Sequence, residues 1–186
     1  MASVQRAKAT LDDLYRTPEK AELIGGKIVT FMATRRKPNR VAFRIRRSLG
    51  DHAAQILLGE AYTDDMGFAI PVLPSERESF SPDASYHRRP FPKDAMRFVS
   101  GAPHFAVEVR SDNDYTPAAE LEMAEKRADY FLAGTEVVWD VDTIAESIYL
   151  YRAVDPEHPV TFHRGDTANA EPAVPGWRID VDWIFS

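Results

Sequence analysis

Five consecutive residues, Phe105-Ala106-Val107-Glu108-Val109, constrain this chain more than any other segment, because they form an apolar run with one carboxylate inside it. A strand with one wet face alternates apolar and polar residues, whereas an unbroken apolar run reads as a central strand covered on both faces. The sheet that holds it must therefore be sandwiched. Charged side chains are rarely buried without a partner or a metal, so Glu108 is a candidate functional group.

The flanking segments supply the cover. Thr10-Leu11-Asp12-Asp13-Leu14 has the form of a capped first helical turn closed by Pro18. Glu22-Leu23-Ile24 and the run from Lys27 to Met32 are β-rich and lie about Gly25-Gly26, a hairpin turn. After Pro38, the residues Val41, Ile45 and Leu49 recur at four-residue spacing while Arg40, Arg44 and Arg47 line an adjacent stripe; this predicts a helix that shows the core one face and phosphates another. Strands are expected over residues 60–63 and 66–72 and from Asp83 through Tyr86, followed by a proline-interrupted loop from His87 to Lys93.

Beyond the central strand, Pro117 and the apolar positions Leu121, Ala124, Ala128, Phe131 and Leu132, stopped by Gly134, predict a helix of about four turns. Residues 135–141 and 147–151 read as strands, and a short β-rich tail runs from Val160 to Trp183-Ile184-Phe185. The fold class expected is α/β: a mixed β-sheet flanked by helices, with additional strands at the C-terminal end, in one domain over residues 1–186.

Composition narrows the chemistry. There is no cysteine, which excludes disulfides, thiolate metal sites and cysteine nucleophiles, so any metal is held by oxygen or imidazole. No run of about 18 apolar residues occurs and Met1 to Lys8 is mostly polar, so the expectation is a soluble, cytoplasmic protein without a membrane partner. The net charge of -6 is unevenly spread: Arg35 to Arg47 carries 7 of the 23 basic residues and no acid. Such a basic band on an acidic body can position a polyanion. The five histidines have no metal-ligand spacing, and there is no phosphate-binding glycine loop, dinucleotide fingerprint or nucleophile elbow.

What remains is a constellation of carboxylates and one cation. Asp83, in Ser81-Pro82-Asp83, opens one strand; Glu108 lies in the next; Lys126 sits on the helix downstream. Two carboxylates on neighbouring strands with a cation delivered from a helix form a ready site for a divalent metal and an attacked phosphate. Taken alone, Asp83 reads more readily as a solvated turn residue, and Lys126 more readily as a surface lysine paired with Glu122 four residues before it.

These residues resemble the PD-(D/E)XK nuclease superfamily, and within it the restriction-endonuclease branch called Uma-two. The resemblance runs from Glu22-Leu23-Ile24-Gly25-Gly26-Lys27 through Ser81-Pro82-Asp83 and Ala106-Val107-Glu108-Val109-Arg110-Ser111. It continues in Glu125-Lys126-Arg127-Ala128-Asp129-Tyr130-Phe131-Leu132-Ala133-Gly134, Val138-Trp139-Asp140-Val141-Asp142 and Pro175-Gly176-Trp177. It implies a restriction-endonuclease-like sheet, a phosphodiesterase dependent on Mg²⁺ (with Mn²⁺ the other candidate), DNA as substrate and a homodimer. Asp83 and Glu108 would be the metal carboxylates, Lys126 the cation at the attacking water or phosphate, and Glu22 the early acidic member of the site.

Glu122 would be a support for Lys126, and Arg40, Arg44 and Arg47 would hold the DNA backbone. The chain departs from the pattern at Arg110, two positions after Glu108, which either binds phosphate or pairs with Glu108 and blocks the metal. Asn39 stands where relatives carry histidine. These two residues motivate the alternative of a non-cleaving nucleic-acid-binding or interaction protein on the same fold. Trp139, Tyr149, Tyr151, Trp177 and Trp183, among β-branched residues, read as core or interface packing.

Overall fold

The computed structural model describes residues 8–91 and 94–186; the reading of Met1 to Ala7 as mostly polar, and Pro92 and Lys93 of the expected loop, lie outside them. Thr10 caps the short α1 (Leu11–Leu14) with Asp13 completing a capping box, as the sequence leads one to expect. The strands β1 (Ala21–Ile24) and β2 (Lys27–Thr30) form a hairpin whose turn residues, Gly25 and Gly26, have φ of 59° and 68°. Two successive positive φ values are what a tight hairpin turn demands, and glycine meets them without strain.

The helix α2 (Arg36–Ile56) begins two residues before Pro38, which is tolerated there because the first-turn amides have no intrahelical acceptor. It leads to β3 (Gly59–Thr63), β4 (Phe68–Ala69), β5 (Ser79–Phe80), β6 (Ala84–Arg88), β7 (Val99–Ser100) and β8 (Phe105–Val109). The crossover helix α3 (Pro117–Leu132) returns the chain to β9 (Val137–Asp142), after which come β10 (Ser147–Arg152), β11 (Asp155–Phe162), β12 (Thr167–Ala170), β13 (Val174–Asp180) and α4 (Val181–Phe185). The main sheet has the order β11-β10-β9-β8-β6-β3, with β8 and β9 parallel and every other neighbour antiparallel.

The apolar run is central, as expected, and its alternation decides where the chemistry lies. Phe105, Val107 and Val109 point into a core with Val41, Ile45 and Leu49 of α2, where Phe105, Trp139 and Trp177 pack ring against ring at 5.1–5.7 Å. Ala106 faces the other way, into a second cluster with Phe80 and Tyr130, so Glu108 shares the α3 side of the sheet. The hairpin β12–β13 and α4 close over the α2 side through Ala170, Val174, Trp177 and Ile184.

Three sequence expectations are corrected here. The strand expected over 66–72 is confined to Phe68–Ala69, ending before Pro71. The last segment is a helix, because the Asp180 side chain caps it by accepting from the Asp182 amide at 2.8 Å. The apolar positions Leu121 and Leu132 of α3 face solvent, and the buried residues of that helix are Asp129 and Tyr130. A charged, hydrogen-bonding face therefore turns inward.

At the ends of β6 and β8, the His87 and His104 rings lie edge to face at 4.8 Å. Burial lowers both imidazoles, and Arg88 together with the neighbouring ring takes His104 down to about 4. The unfolded chain then binds more protons than the folded one between pH 6.5 and about 4. Stability is full above that window and falls on acidification through it. Urea unfolding across this range will show the decline, and His104→Gln will flatten it; an unaltered slope would contradict the account.

Candidate active site

Asp83 lies at the entry to β6 and is fixed by β8. Its amide donates to the Val107 carbonyl at 3.0 Å, and its Oδ2 accepts from the Val109 amide at 2.8 Å, so it straddles Glu108 from the adjacent strand. Its other oxygen, Oδ1, pairs with Lys20 at 2.9 Å. Glu108 uses a single oxygen, Oε1, to accept from the Tyr130 hydroxyl at 2.7 Å and to pair with Lys126 at 2.9 Å. The ammonium of Lys126 also lies 3.0 Å from Glu22.

The network extends past Lys126. Glu22 accepts from the Ser81 amide at 2.9 Å and pairs with Arg77, whose Nε donates to Asp129 at 2.9 Å. Four carboxylates thus meet three cations in one largely buried array joining β1, the segment before β5, β6, β8 and α3. Burying a charge is costly unless an opposite one is close, so these groups are held by each other.

The array tunes its members apart. Burial raises the Glu108 pKa, with Asp83 and Glu22 adding to it against the pull of Lys126. Burial acts the same way on Glu22, but Lys126, Arg77 and the Ser81 amide outweigh it and hold that carboxyl below its ordinary value. For Lys126, burial alone would favour the neutral amine; Glu108 and Glu22 reverse this and push its pKa up. Lys126 is accordingly a fixed cation and not a base. The Tyr130 hydroxyl is raised well above its usual value, by burial first and then by Glu108, so it remains a donor.

All four residues expected at the centre, Glu22, Asp83, Glu108 and Lys126, are brought together. The others fall elsewhere. Glu122 is exposed, and the partners of Lys126 are Glu22 and Glu108, because α3 turns its lysine inward. Arg110 neither blocks Glu108 nor faces solvent: its guanidinium grips Asp140 through two bonds of 2.7 Å and also binds Glu120. Buried Asp140 requires that cation, and only Arg127, at 3.8 Å, stands near it otherwise among the described residues.

The arginine stripe of α2 divides among different surroundings. Arg44 donates to the carbonyls of Trp183 (2.8 Å) and Ile184 (3.3 Å) and to the Ser186 hydroxyl (2.8 Å), closing the end of α4. Arg47 lines a separate open hollow beside Trp183 and Arg178. Arg40 falls on this same flank by helical periodicity, and its Nε is buried without a hydrogen-bond partner among the described residues. The opposite flank of α2, carrying Asn39, Phe43 and Arg46, walls a hollow of about 120 Å³ with Asp64 and Asp83.

Sequence reasoning missed Lys20, Arg77, Asp129, Tyr130 and Arg46. Lys20 stands two residues before Glu22, in the bend that leads into β1, and Asp129 and Tyr130 follow Lys126 at helical spacing, so proximity could have been read for each. Arg77 has no local signal.

A central mixed sheet with helices on its faces is the restriction-endonuclease-like class of nuclease fold, and here it brings two carboxylates on adjacent strands to a lysine from the crossover helix. The model of the Uma2 family, described as "Putative restriction endonuclease", matches residues 9–182, and the chain belongs to that family. Among solved structures it is similar to "a putative nuclease belonging to DUF820" from Anabaena variabilis ATCC 29413, at TM-score 0.73 and 17% identity over 95% of this chain and 97% of that one. No curated protein gives a significant match. Among the described residues, no helix is long and apolar enough to cross a membrane.

The Arg110 grip makes a distinct claim about stability. Arg110→Ala leaves Asp140 buried and nearly unpaired, and should lower the unfolding free energy by roughly 3–5 kcal/mol. Adding Asp140→Asn should recover part of that loss in urea titrations. A marginal effect of Arg110→Ala would remove the structural role and return Arg110 to the phosphate-binding candidates.

Proposed function

We propose that this protein is a metal-dependent DNA endonuclease that hydrolyses phosphodiester bonds at Asp83, Glu108 and Lys126, with Glu22 holding Lys126 in place. The observation that carries the reading is one set of contacts: a buried ammonium 2.9 Å from a carboxylate on the central strand, with Asp83 bonded to the backbone on either side of it, through its amide to the Val107 carbonyl and through its carboxylate to the Val109 amide. A homodimer working in the cytoplasm belongs to the same proposal, and a monomeric mass at micromolar concentration would remove the dimer.

The donor set fits a hard divalent ion. Among the described residues, Glu108 Oε2 takes part in no hydrogen bond, and crowding by Asp83 and Glu22 adds to the rise in the Glu108 pKa, a repulsion that a cation relieves. No group of three or more candidate ligands converges among the described residues, but Mg²⁺ keeps several waters, so Asp83 and Glu108 with a substrate phosphate suffice to hold Mg²⁺ or Mn²⁺. When bound, such an ion polarises the phosphoryl group and increases the acidity of a water.

The chain's own groups do the rest. Hydrolysis adds water across one P–O bond, so charge grows on the phosphoryl oxygens and one proton must leave the attacking water. Lys126, kept protonated, presents positive charge toward those oxygens. Tyr130 fixes the orientation of Glu108, and the proton released by the water passes to solvent. Lys20 and the Val109 amide hold Asp83.

Plasmid cleavage in Mg²⁺ should fall by roughly 100- to 1,000-fold or more in Asp83→Ala and in Lys126→Ala. Cleavage unchanged in both variants sinks the assignment. Calorimetry should show Mg²⁺ uptake by the native protein and none by Glu108→Ala; salt-sensitive DNA binding without uptake would favour a non-cleaving nucleic-acid-binding protein.

The cleavage rate should also depend on pH in a definite sense. A raised pKa means that Glu108 takes up its proton early on acidification, and the protonated carboxyl is a poor metal ligand. At sub-saturating Mg²⁺ the rate should therefore decline toward acid with a midpoint above the usual glutamate value of 4.5, and that midpoint should move down as Mg²⁺ is raised, because the cation competes with the proton for the carboxylate. A midpoint independent of Mg²⁺ would count against Glu108.

A further inference from the structure

We infer that the nucleic acid strand entering this site is unpaired, its bases stacking on Phe31 and Phe43. This deepens the nuclease reading and rests on it. The Phe31 ring stands 5.5 Å from the Lys126 ammonium and 5.7 Å from that of Lys20, yet 39% of the residue is exposed. Phe43 is 57% exposed and walls the hollow shared by Asp83 and Arg46. Two aromatic residues open to solvent therefore flank the carboxylates and the lysines.

Charge makes the same argument from the other side. A protein that grips duplex DNA by its backbone sets out a row of cations, because a duplex presents phosphates outward and keeps its base faces stacked inside. Of the row on α2, Arg44 is already spent on the end of α4 and Arg47 lines the hollow beside Trp183, away from the carboxylates. Toward the site stand a few cations, Lys20, Lys126 and Arg46, interleaved with exposed rings. Cations that track a backbone beside rings that accept base faces are what a single strand needs, and a paired one leaves the rings without a partner. Arg46, which walls the hollow beside Phe43 and Asp83, is the group on this flank placed for a phosphate next to the one attacked.

The test is fluorescence anisotropy at low ionic strength, in chelator to prevent cleavage, with a labelled single-stranded oligodeoxynucleotide and with the same sequence as a duplex. The native protein should prefer the single strand. Phe43→Ala should weaken single-strand binding by roughly 5- to 100-fold and leave duplex binding unchanged, while Phe43→Trp retains affinity. Val154→Ala, an exposed apolar residue in the β10–β11 turn, is the control expected to change nothing.

Equal affinity for the two forms, or an equal loss on both in Phe43→Ala, overturns the inference. If duplex DNA is nevertheless cut in Mg²⁺, the nuclease reading survives that result. Absence of binding to both forms together with absence of cleavage removes both.

Discussion

The candidate site depends on one buried ammonium shared between two carboxylates. Lys126 reaches Glu22 at 3.0 Å and Glu108 at 2.9 Å, and thereby ties the first hairpin and the central strand to the crossover helix. Removing three charges from water is favourable only if each finds its complement, so the contact requires all three elements to be in place at once. Arg77 repeats the device one step further out, bridging Glu22 to Asp129. The inward face of α3 is charged for that reason, and its leucines at 121 and 132 are left at the surface.

The parts of the fold legible in the sequence are those set by local rules. The Gly25-Gly26 turn, the four-residue recurrence of Val41, Ile45 and Leu49, and the apolar run around Glu108 each carry their own instruction, and the structure follows all three. The four central site residues were legible too, because their order along the chain is informative even where each alone is ambiguous. What stayed hidden depends on pairing across long separations. Nothing near Arg110 announces that Asp140 will be its partner, and nothing near Arg44 announces the carbonyls of α4.

The error over α3 has a different cause. Its apolar positions do recur with helical spacing, and periodicity ordinarily marks the buried face. Here the small side chain of Ala106 and the carboxylate of Glu108 lie beneath the helix, and a lysine and a tyrosine meet them better than leucine does, while Asp129 meets Arg77. The site overrides the pattern where chemistry occupies space that packing would otherwise fill.

The crossover from β8 through α3 to β9 has a consequence for how such a protein can vary. Apolar helix faces tolerate small slides, since one leucine replaces another against a smooth surface. A face indexed by discrete charges does not: one helical turn of about 5.4 Å would carry the ammonium beyond reach of both acids. Alignment of the helix and integrity of the charged cluster are therefore a single variable, and insertions or deletions in the loop between Val109 and Pro117 change both or neither.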